Sequence, residues 1–148
     1  AGLKQYEISA YSKQGSQAQH NLNYWQFGDY IGVGAGAHGK VSFLKTGRMQ
    51  VERRVKLRQP KAYMAAISPL ASSHYVTPQE LKLEFFMNAL RLEKGVLNSS
   101  YLAQTGQSLT SVESAIFSAR QAGLMMPDRL QASPLGWRFL NDLLHYFE

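Results

Sequence analysis

The alternation of apolar and polar residues predicts that strands dominate the first part of this chain. Gln5–Tyr11 has the period of a single β-strand. Residues 41–44 and 48–57 have the pattern of two strands joined by a turn at Lys45–Gly47, and the second of them alternates over most of its length. Tyr30–Val33 is a further short apolar run, typical of a buried strand.

Helical spacing replaces this alternation further along the chain. Pro60 can begin a short helix as far as Ile67, and residues 68–77 are expected to form a loop and a domain boundary. Thr77–Glu80 is a capping box with proline at the first helical position, and the helix that follows should end at Gly95. Its expected buried face consists of Leu83, Phe86, Met87 and Leu90.

The last third of the chain has the element order of a winged helix. A capping box at Thr110–Glu113 predicts a helix that ends at Gly123, with Val112, Ala115, Ile116 and Ala119 facing inward. The neighbouring segments are a short helix over 99–105 that ends at Gly106, two segments that can pair at 124–126 and 129–132, and a last helix capped by Ser133. Helices followed by a small hairpin and a final helix are typical of a winged-helix domain.

Composition limits the classes of protein to consider. The chain has 148 residues, of which 45% are hydrophobic and 18% charged, as in a globular protein. No apolar run could cross a membrane, and no signal-peptide pattern opens the chain. Cysteine is absent, which excludes disulfides and Cys-bound clusters within these residues. A net charge of +6 predicts an acidic partner such as nucleic acid, phosphate or propionate groups, or anionic lipid.

The candidate chemistry lies in one stretch, from His20 to His38. It opens with polar and aromatic residues, among them Asn21, and it resembles the wall of a cofactor or substrate pocket. The imidazole of His20, expected near a strand end, could ligate iron, move a proton or hold a carboxylate, or it could simply cap a turn. Tyr24 and Trp25 could stack on a planar ring, or they could be core residues.

Small side chains leave the backbone accessible at the end of this stretch. They are expected at the carboxyl end of a strand, where a flat group such as adenine could approach the backbone closely. These small residues are Gly34, Ala35, Gly36 and Ala37. Neither a P-loop nor a dinucleotide fingerprint fits the spacing, and a tight turn is the alternative. No catalytic set stands out, since nothing in the sequence brings Glu7 and Asp29 together.

A nucleic-acid partner is not favoured. The basic positions on the strand at 48–57 could meet phosphate or propionate groups, although such a strip is more often a solvated face. The candidate recognition helix, Ser111–Ala122, carries Glu113 and a single cation, Arg120, whereas a helix that reads a DNA groove needs several polar or basic side chains.

Three stretches resemble the oxygen-independent coproporphyrinogen III oxidase-like family, and more narrowly its heme-chaperone branch, the HemW-type proteins. They are QYEISAYSKQG, HNLNYWQFGDYIGVGAGAHGK and EFFMNALRL. The similarity continues through Ala122–Leu124 and Gly136–Leu144. The His-Asn-x-x-Tyr-Trp motif, associated with heme binding in that branch, corresponds to His20, Asn21, Tyr24 and Trp25.

The resemblance implies an α+β chain taken from the carboxyl-terminal part of a radical SAM protein. Residues 1–44 would hold the last strands of a partial (β/α) barrel, residues 45–76 a β-hairpin and linker, and residues 77–148 the winged-helix-like domain. Gly34, Ala35, Gly36 and Ala37 would then lie on the adenosyl side of the barrel. The family's three cluster cysteines are missing, and Ala18 stands where a cysteine usually precedes the histidine. This chain is therefore not expected to cleave S-adenosylmethionine or to hold the iron-sulfur cluster.

The function implied is cytoplasmic heme binding and transfer to acceptor proteins, with His20 as the iron ligand or as a residue of the heme pocket. The alternative is the oxidase branch, which decarboxylates the propionates of coproporphyrinogen by radical chemistry in porphyrin biosynthesis. The third alternative is a nucleic-acid-binding winged helix. Peripheral membrane contact and self-association through exposed strand edges stay open.

Overall fold

The computed structural model describes residues 2–148, which form two compact units. The helical unit consists of the described residues up to Gly28 together with Pro78–Glu148, and the sheet unit consists of Asp29–Thr77. The elements are, in chain order, β1 (Lys4–Glu7), β2 (Ala10–Ser12), α1 (Gln19–Trp25), β3 (His38–Lys45), β4 (Arg48–Lys56), α2 (Pro60–Ala65), β5 (Leu70–Tyr75), α3 (Pro78–Ala89), α4 (Asn98–Thr105), α5 (Glu113–Gln121), α6 (Pro134–Arg138) and α7 (Leu140–Leu144). The α+β class predicted from the sequence is confirmed.

The helical unit begins with a small hairpin where a single strand was predicted. β1 and β2 pair antiparallel because the chain reverses at Ile8–Ser9. The carboxylate of Glu7 stabilises the turn, since its Oε1 accepts hydrogen bonds from the backbone nitrogen of Ser9 at 3.1 Å and from its hydroxyl at 2.8 Å. This local side-chain bond has no signature in the apolar pattern, which explains why the prediction of one strand over Gln5–Tyr11 was wrong.

Aromatic side chains form the core of the helical unit. Phe85 contacts Phe27 and Tyr101 edge to face, at centroid distances of 5.8 and 5.1 Å. Phe86 stacks on Phe147 at 3.7 Å, with 15° between the ring planes. The buried face of α3 is therefore Leu81, Phe85, Phe86 and Ala89. Of the four residues of the predicted face, Phe86 and Leu90 are buried, but Met87 is exposed and Leu83 is only half-buried.

The rest of the helical unit follows the predicted order of elements. α4 ends at Gly106 in the left-handed region, as predicted, and Gly123 has a φ of +71° after α5. Single antiparallel bridges join Val96 to Leu130 and Met125 to Ala132. The second capping box was misplaced, because the cap is Ser108, whose hydroxyl accepts from the backbone nitrogen of Thr110 at 3.3 Å and begins a short 3-10 turn over Leu109–Val112.

The sheet unit is built on one antiparallel sheet in the order β3-β4-β5. The predicted hairpin is confirmed, with Lys45 opposite Arg48, and so is the helix that Pro60 begins. Residues 68–77 were wrongly predicted to be a loop, because Leu70–Tyr75 pairs with β4 as an exposed edge strand. Its polar composition misled the prediction, since an edge strand need not bury its side chains.

The stretch Tyr30–Val33 does not form the buried strand that was predicted. Only Tyr30 pairs, exchanging two backbone hydrogen bonds of 2.9 Å with Lys40, while Ile31 and Val33 are 83% and 84% exposed. All strand pairs described between residues 2 and 148 are antiparallel. The parallel strands of a (β/α) barrel are therefore not seen among them. The expected division after Leu44 would also cut β3, whereas the two compact units meet in sequence at Gly28–Asp29 and Thr77–Pro78.

Candidate functional site

The four residues of the His-Asn-x-x-Tyr-Trp motif lie together on α1, in the helical unit. The helix has seven residues and no buried side chain, and Ala18 before it provides no side-chain cap. It stops where Phe27 turns into the left-handed region with a φ of +61°. The motif was interpreted from the sequence as lying beside a strand end, and the structure corrects this to a short exposed helix.

His20 and Tyr24 form a contact pair on the surface of α1. The two rings meet edge to face, with centroids 4.6 Å apart and planes at 87°. A spacing of four residues puts both side chains on one face of the helix. His20 is exposed and Tyr24 is half-buried, so the imidazole is accessible to a ligand from solvent.

Asn21 and Trp25 face the protein more than His20 does. The amide nitrogen of Asn21 lies 3.4 Å from the phenol oxygen of Tyr6 on β1, a long hydrogen bond. The guanidinium of Arg91 lies over the Trp25 ring, with its Cζ 4.4 Å from the ring centroid. One face of the indole is therefore covered by a cation of the protein itself.

Behind this stack lies a buried ion pair that sequence reasoning did not predict. Glu7 is 1% exposed, and its Oε2 lies 3.5 Å from an amino nitrogen of Arg91. The signal that could have found it is that both partners lie in stretches that carry the family resemblance, Glu7 in QYEISAYSKQG and Arg91 in EFFMNALRL. Glu7 pairs with Arg91 in the helical unit, whereas Asp29 pairs with Lys40 in the sheet unit.

The four small residues belong to the sheet unit and form a turn that leads into β3. The sequence predicted that these residues end a strand. They precede one instead, so this prediction was wrong. The backbone nitrogen of Ala37 donates to the carbonyl of Gly34 at 3.2 Å, and that of Gly36 donates to Leu57 at 2.8 Å. Gly34 and Gly36 have φ values of +108° and +72°, which favour glycine. The tight-turn alternative describes this geometry.

A cavity of about 220 Å³ lies next to this turn. Its lining consists of Tyr30, Ile31, Gly32, Ala37, Gly39, Val41, Arg54 and Lys56. Ala37 is the one predicted residue of the turn that lines it. Lys56 gives the cavity a positive charge, whereas Arg54 is paired with Glu52 at 2.7 Å. A flat ligand that carries an anionic group suits such a lining.

The sheet unit also holds a buried lysine that the apolar pattern did not reveal. The ammonium of Lys40 lies 3.0 Å from Oδ1 of Asp29, which also accepts from the hydroxyl of Ser42 at 2.7 Å. Burial opposes ionisation, but the hydrogen bonds from Ser42 and the cation of Lys40 outweigh it, so the pKa of the Asp29 carboxyl lies below its usual value.

The net charge is divided unequally between the two units. The sheet unit contains eight Lys and Arg residues against two acidic residues, a net charge of +6, while the helical unit contains eight of each sign. Within residues 2–148 no three His, Asp or Glu side chains gather where they could hold a metal ion. The same part of the chain contains no helix of the length and apolarity that a bilayer crossing requires.

Sequence comparison identifies the relatives of this chain. It is 42% identical to the heme chaperone HemW of Escherichia coli and 41% identical to that of Haemophilus influenzae, each over 149 aligned residues and 99% of this chain. The chain belongs to the HemW family of radical SAM proteins. It is also 29% identical, over 97% of its length, to the mitochondrial radical S-adenosyl methionine domain-containing protein 1 of Bos taurus.

The chain spans well under half the length of these HemW relatives. The aligned region covers 38% of each of the two bacterial proteins and 35% of the bovine one. No family model and no solved structure matches the chain. What the relatives' names say therefore applies to proteins considerably longer than this one.

Proposed function

We propose that this chain is the part of a HemW-type heme chaperone that contributes a heme-binding helix, α1. The observation that carries the proposal is the contact of exposed His20 with half-buried Tyr24 on α1, in a chain whose relatives are named heme chaperones. The bound heme would be handed to an acceptor protein. The resemblance supports cytoplasmic heme transfer and leaves peripheral membrane contact and self-association as further properties of the longer protein.

The residues of α1 fit heme in part. Heme iron needs one or two axial ligands from the protein, and an imidazole is the commonest. His20 can supply it, and Tyr24 can pack against the macrocycle beside it. Trp25 has only one ring face left for a macrocycle, because Arg91 covers the other. Asn21 would help through its bond to Tyr6, by keeping α1 against β1.

The second cofactor of the family would be shared with the rest of the longer protein. S-adenosylmethionine with an iron-sulfur cluster supplies radical chemistry where it is bound, and the three cluster cysteines are not among these 148 residues. Gly34, Ala35, Gly36 and Ala37 would lie on the adenosyl side. The cavity beside Ala37 supports this, because Lys56 could meet an anionic group there. The radical SAM barrel and the winged-helix identity of the tail are part of the same proposal. The family supports the barrel as a feature of the longer protein, and the order of elements supports the winged helix.

A hemin titration tests the proposal. Absorbance in the Soret region should show saturable binding of hemin to the wild-type chain. His20→Ala should abolish binding or lower the hemin affinity by at least about tenfold, because the iron loses a ligand. His74→Ala is the matched control, since His74 is also exposed but lies on β5 in the sheet unit. Equal loss in both variants, or binding that His20→Ala leaves unchanged, would contradict the role of His20.

The two alternatives make different predictions. Decarboxylation of coproporphyrinogen by the longer protein would favour the oxidase branch over the chaperone. The nucleic-acid alternative drew on the basic charge, but the +6 belongs to the sheet unit, while the helical unit with its winged-helix-like order has no net charge. Salt-sensitive binding of random duplex DNA by this chain would revive that alternative.

A further inference from the structure

The short helix α1 depends on the rest of the helical unit for its stability. Seven residues are too few for a helix to be stable by itself in water. No side chain of α1 is fully buried, and its first turn has no side-chain cap. The 3.4 Å bond from Asn21 to Tyr6 is long for a hydrogen bond. The stack of Trp25 against Arg91, at 4.4 Å, is therefore a major attachment of the last turn.

Arg91 makes three polar contacts with the β1–β2 hairpin. Its amino nitrogen lies 3.5 Å from Oε2 of Glu7 and 3.5 Å from the hydroxyl of Ser9. Its carbonyl oxygen accepts a hydrogen bond of 3.1 Å from the backbone nitrogen of Ile8 in the β1–β2 turn. Glu7 is 1% exposed, so its charge needs this partner. The guanidinium lies within ion-pair distance of the Glu7 carboxylate, without a hydrogen bond to its Oε2, and also lies over the indole of Trp25.

We infer that Arg91 is a positioning residue for the ligand-binding helix. It fixes Trp25 and thereby the orientation at which α1 presents His20 and Tyr24. A lysine cannot replace it fully, because an ammonium has no planar face that stacks while its edge pairs with a carboxylate. This inference rests on the proposed function for its effect on heme, but its effect on α1 can be measured without heme.

Tryptophan fluorescence reports on α1 directly. The chain has two tryptophans, Trp25 and Trp137, so the background variant Trp137→Phe leaves Trp25 as the single reporter. Arg91→Met and Arg91→Lys are made in that background. Arg120→Met is the matched control, because Arg120 also lies in the helical unit and donates from its Nε to the carbonyl of Met126 at 3.1 Å. Each variant is compared by circular dichroism, by acrylamide quenching of Trp25 and by hemin titration.

We expect Arg91→Met to make Trp25 more accessible to acrylamide and to weaken hemin binding by roughly tenfold, the scale of a desolvated cation–π contact. Arg91→Lys should give a smaller change in the same direction, and Arg120→Met should match the background. The inference would be overturned if Arg91→Met left the acrylamide quenching of Trp25 unchanged. It would also be overturned if quenching increased while the hemin affinity stayed the same. If Arg91→Met does not fold, Arg91→Lys decides by the same two measurements.

Failure of the proposed function would be recognised separately. If the background protein binds no hemin while Arg91→Met still loosens Trp25, α1 is positioned by Arg91 but is not a heme site within this chain. If hemin binds and depends on His20 but not on Arg91, the proposed function stands and the positioning role is refuted.

Discussion

Lys40 is 1% exposed, and its ammonium lies 3.0 Å from the carboxylate of Asp29, whose side chain is 43% exposed. One partner of this ion pair is thus buried in the sheet unit while the other reaches solvent. A buried ammonium is stabilised only if it stays paired, because desolvation of an isolated charge is costly. The short segment before Tyr30 therefore matters to the stability of the sheet.

Asp29→Ala should destabilise the sheet unit by roughly 2–3 kcal/mol, below the full range for a buried pair because Asp29 is partly solvated. The loss comes from leaving Lys40 without its carboxylate. Native-state hydrogen exchange of the β3 and β4 amides measures the change in opening free energy.

Glu52→Ala is the control for that experiment. Glu52 also accepts from a cation, Arg54, at 2.7 Å, but Arg54 is 48% exposed and the pair is at the surface. Little change in amide protection is expected. Equal protection losses in the two variants would show that burial of Lys40 is not what makes the Asp29 pair important.

The lowered pKa of Asp29 predicts a loss of stability in acid. A carboxyl whose folded pKa lies below its unfolded value stabilises the fold fully above about pH 4, and this contribution disappears as the pH falls through the folded pKa. Ser42→Ala removes the 2.7 Å hydrogen bond from the hydroxyl, so the pKa of Asp29 should rise towards its usual value. A carboxyl titration by NMR measures it; a pKa unmoved by Ser42→Ala would assign the shift to Lys40 and the backbone of Ser42.

Gly32→Ala should destabilise the sheet unit more than Gly47→Ala. A Cβ at Gly32 would overlap the backbone carbonyl of His38, since the segment at Tyr30–Gly32 packs closely against β3. We expect a loss of about 3 kcal/mol, the upper end for overpacking. Gly47 has open space around it and only its φ of +76° to accommodate, a cost of about 1 kcal/mol. Thermal unfolding of both variants gives the comparison, and equal losses would mean that the segment can move away.

Phe147→Ala should cost the helical unit about 3–5 kcal/mol of stability, the range for a fully buried aromatic side chain. Phe147 is fully buried and stacks on Phe86, which also contacts Tyr101. Tyr146→Ala is the control, because Tyr146 is partly exposed and should change the stability by no more than about 0.5 kcal/mol. Urea unfolding followed by circular dichroism measures both, and a small effect of Phe147→Ala would show that α7 and the 3-10 turn after it are not needed for the aromatic core.

Local rules predicted the elements that depend on neighbours in sequence. The hairpin of β3 and β4, the helix that begins at Pro60 and the stop at Gly106 were all foreseen, because alternation, proline and glycine act over a few residues. The errors have longer-range causes. Leu70–Tyr75 became a strand only because β4 offers it an edge, and Gln5–Tyr11 was divided by a turn that Glu7 stabilises.

The sequence by itself determined the α+β class, the family and the four candidate residues on α1, since a short motif and apolar periodicity are properties of the chain. The tertiary structure decided what those residues can do. It exposed His20, covered one face of Trp25 with Arg91, and buried Glu7 and Lys40 beside partners far away in sequence. Such pairs depend on which segments pack together. The free-energy cost of burying a charge is offset only when the fold places an oppositely charged partner next to it.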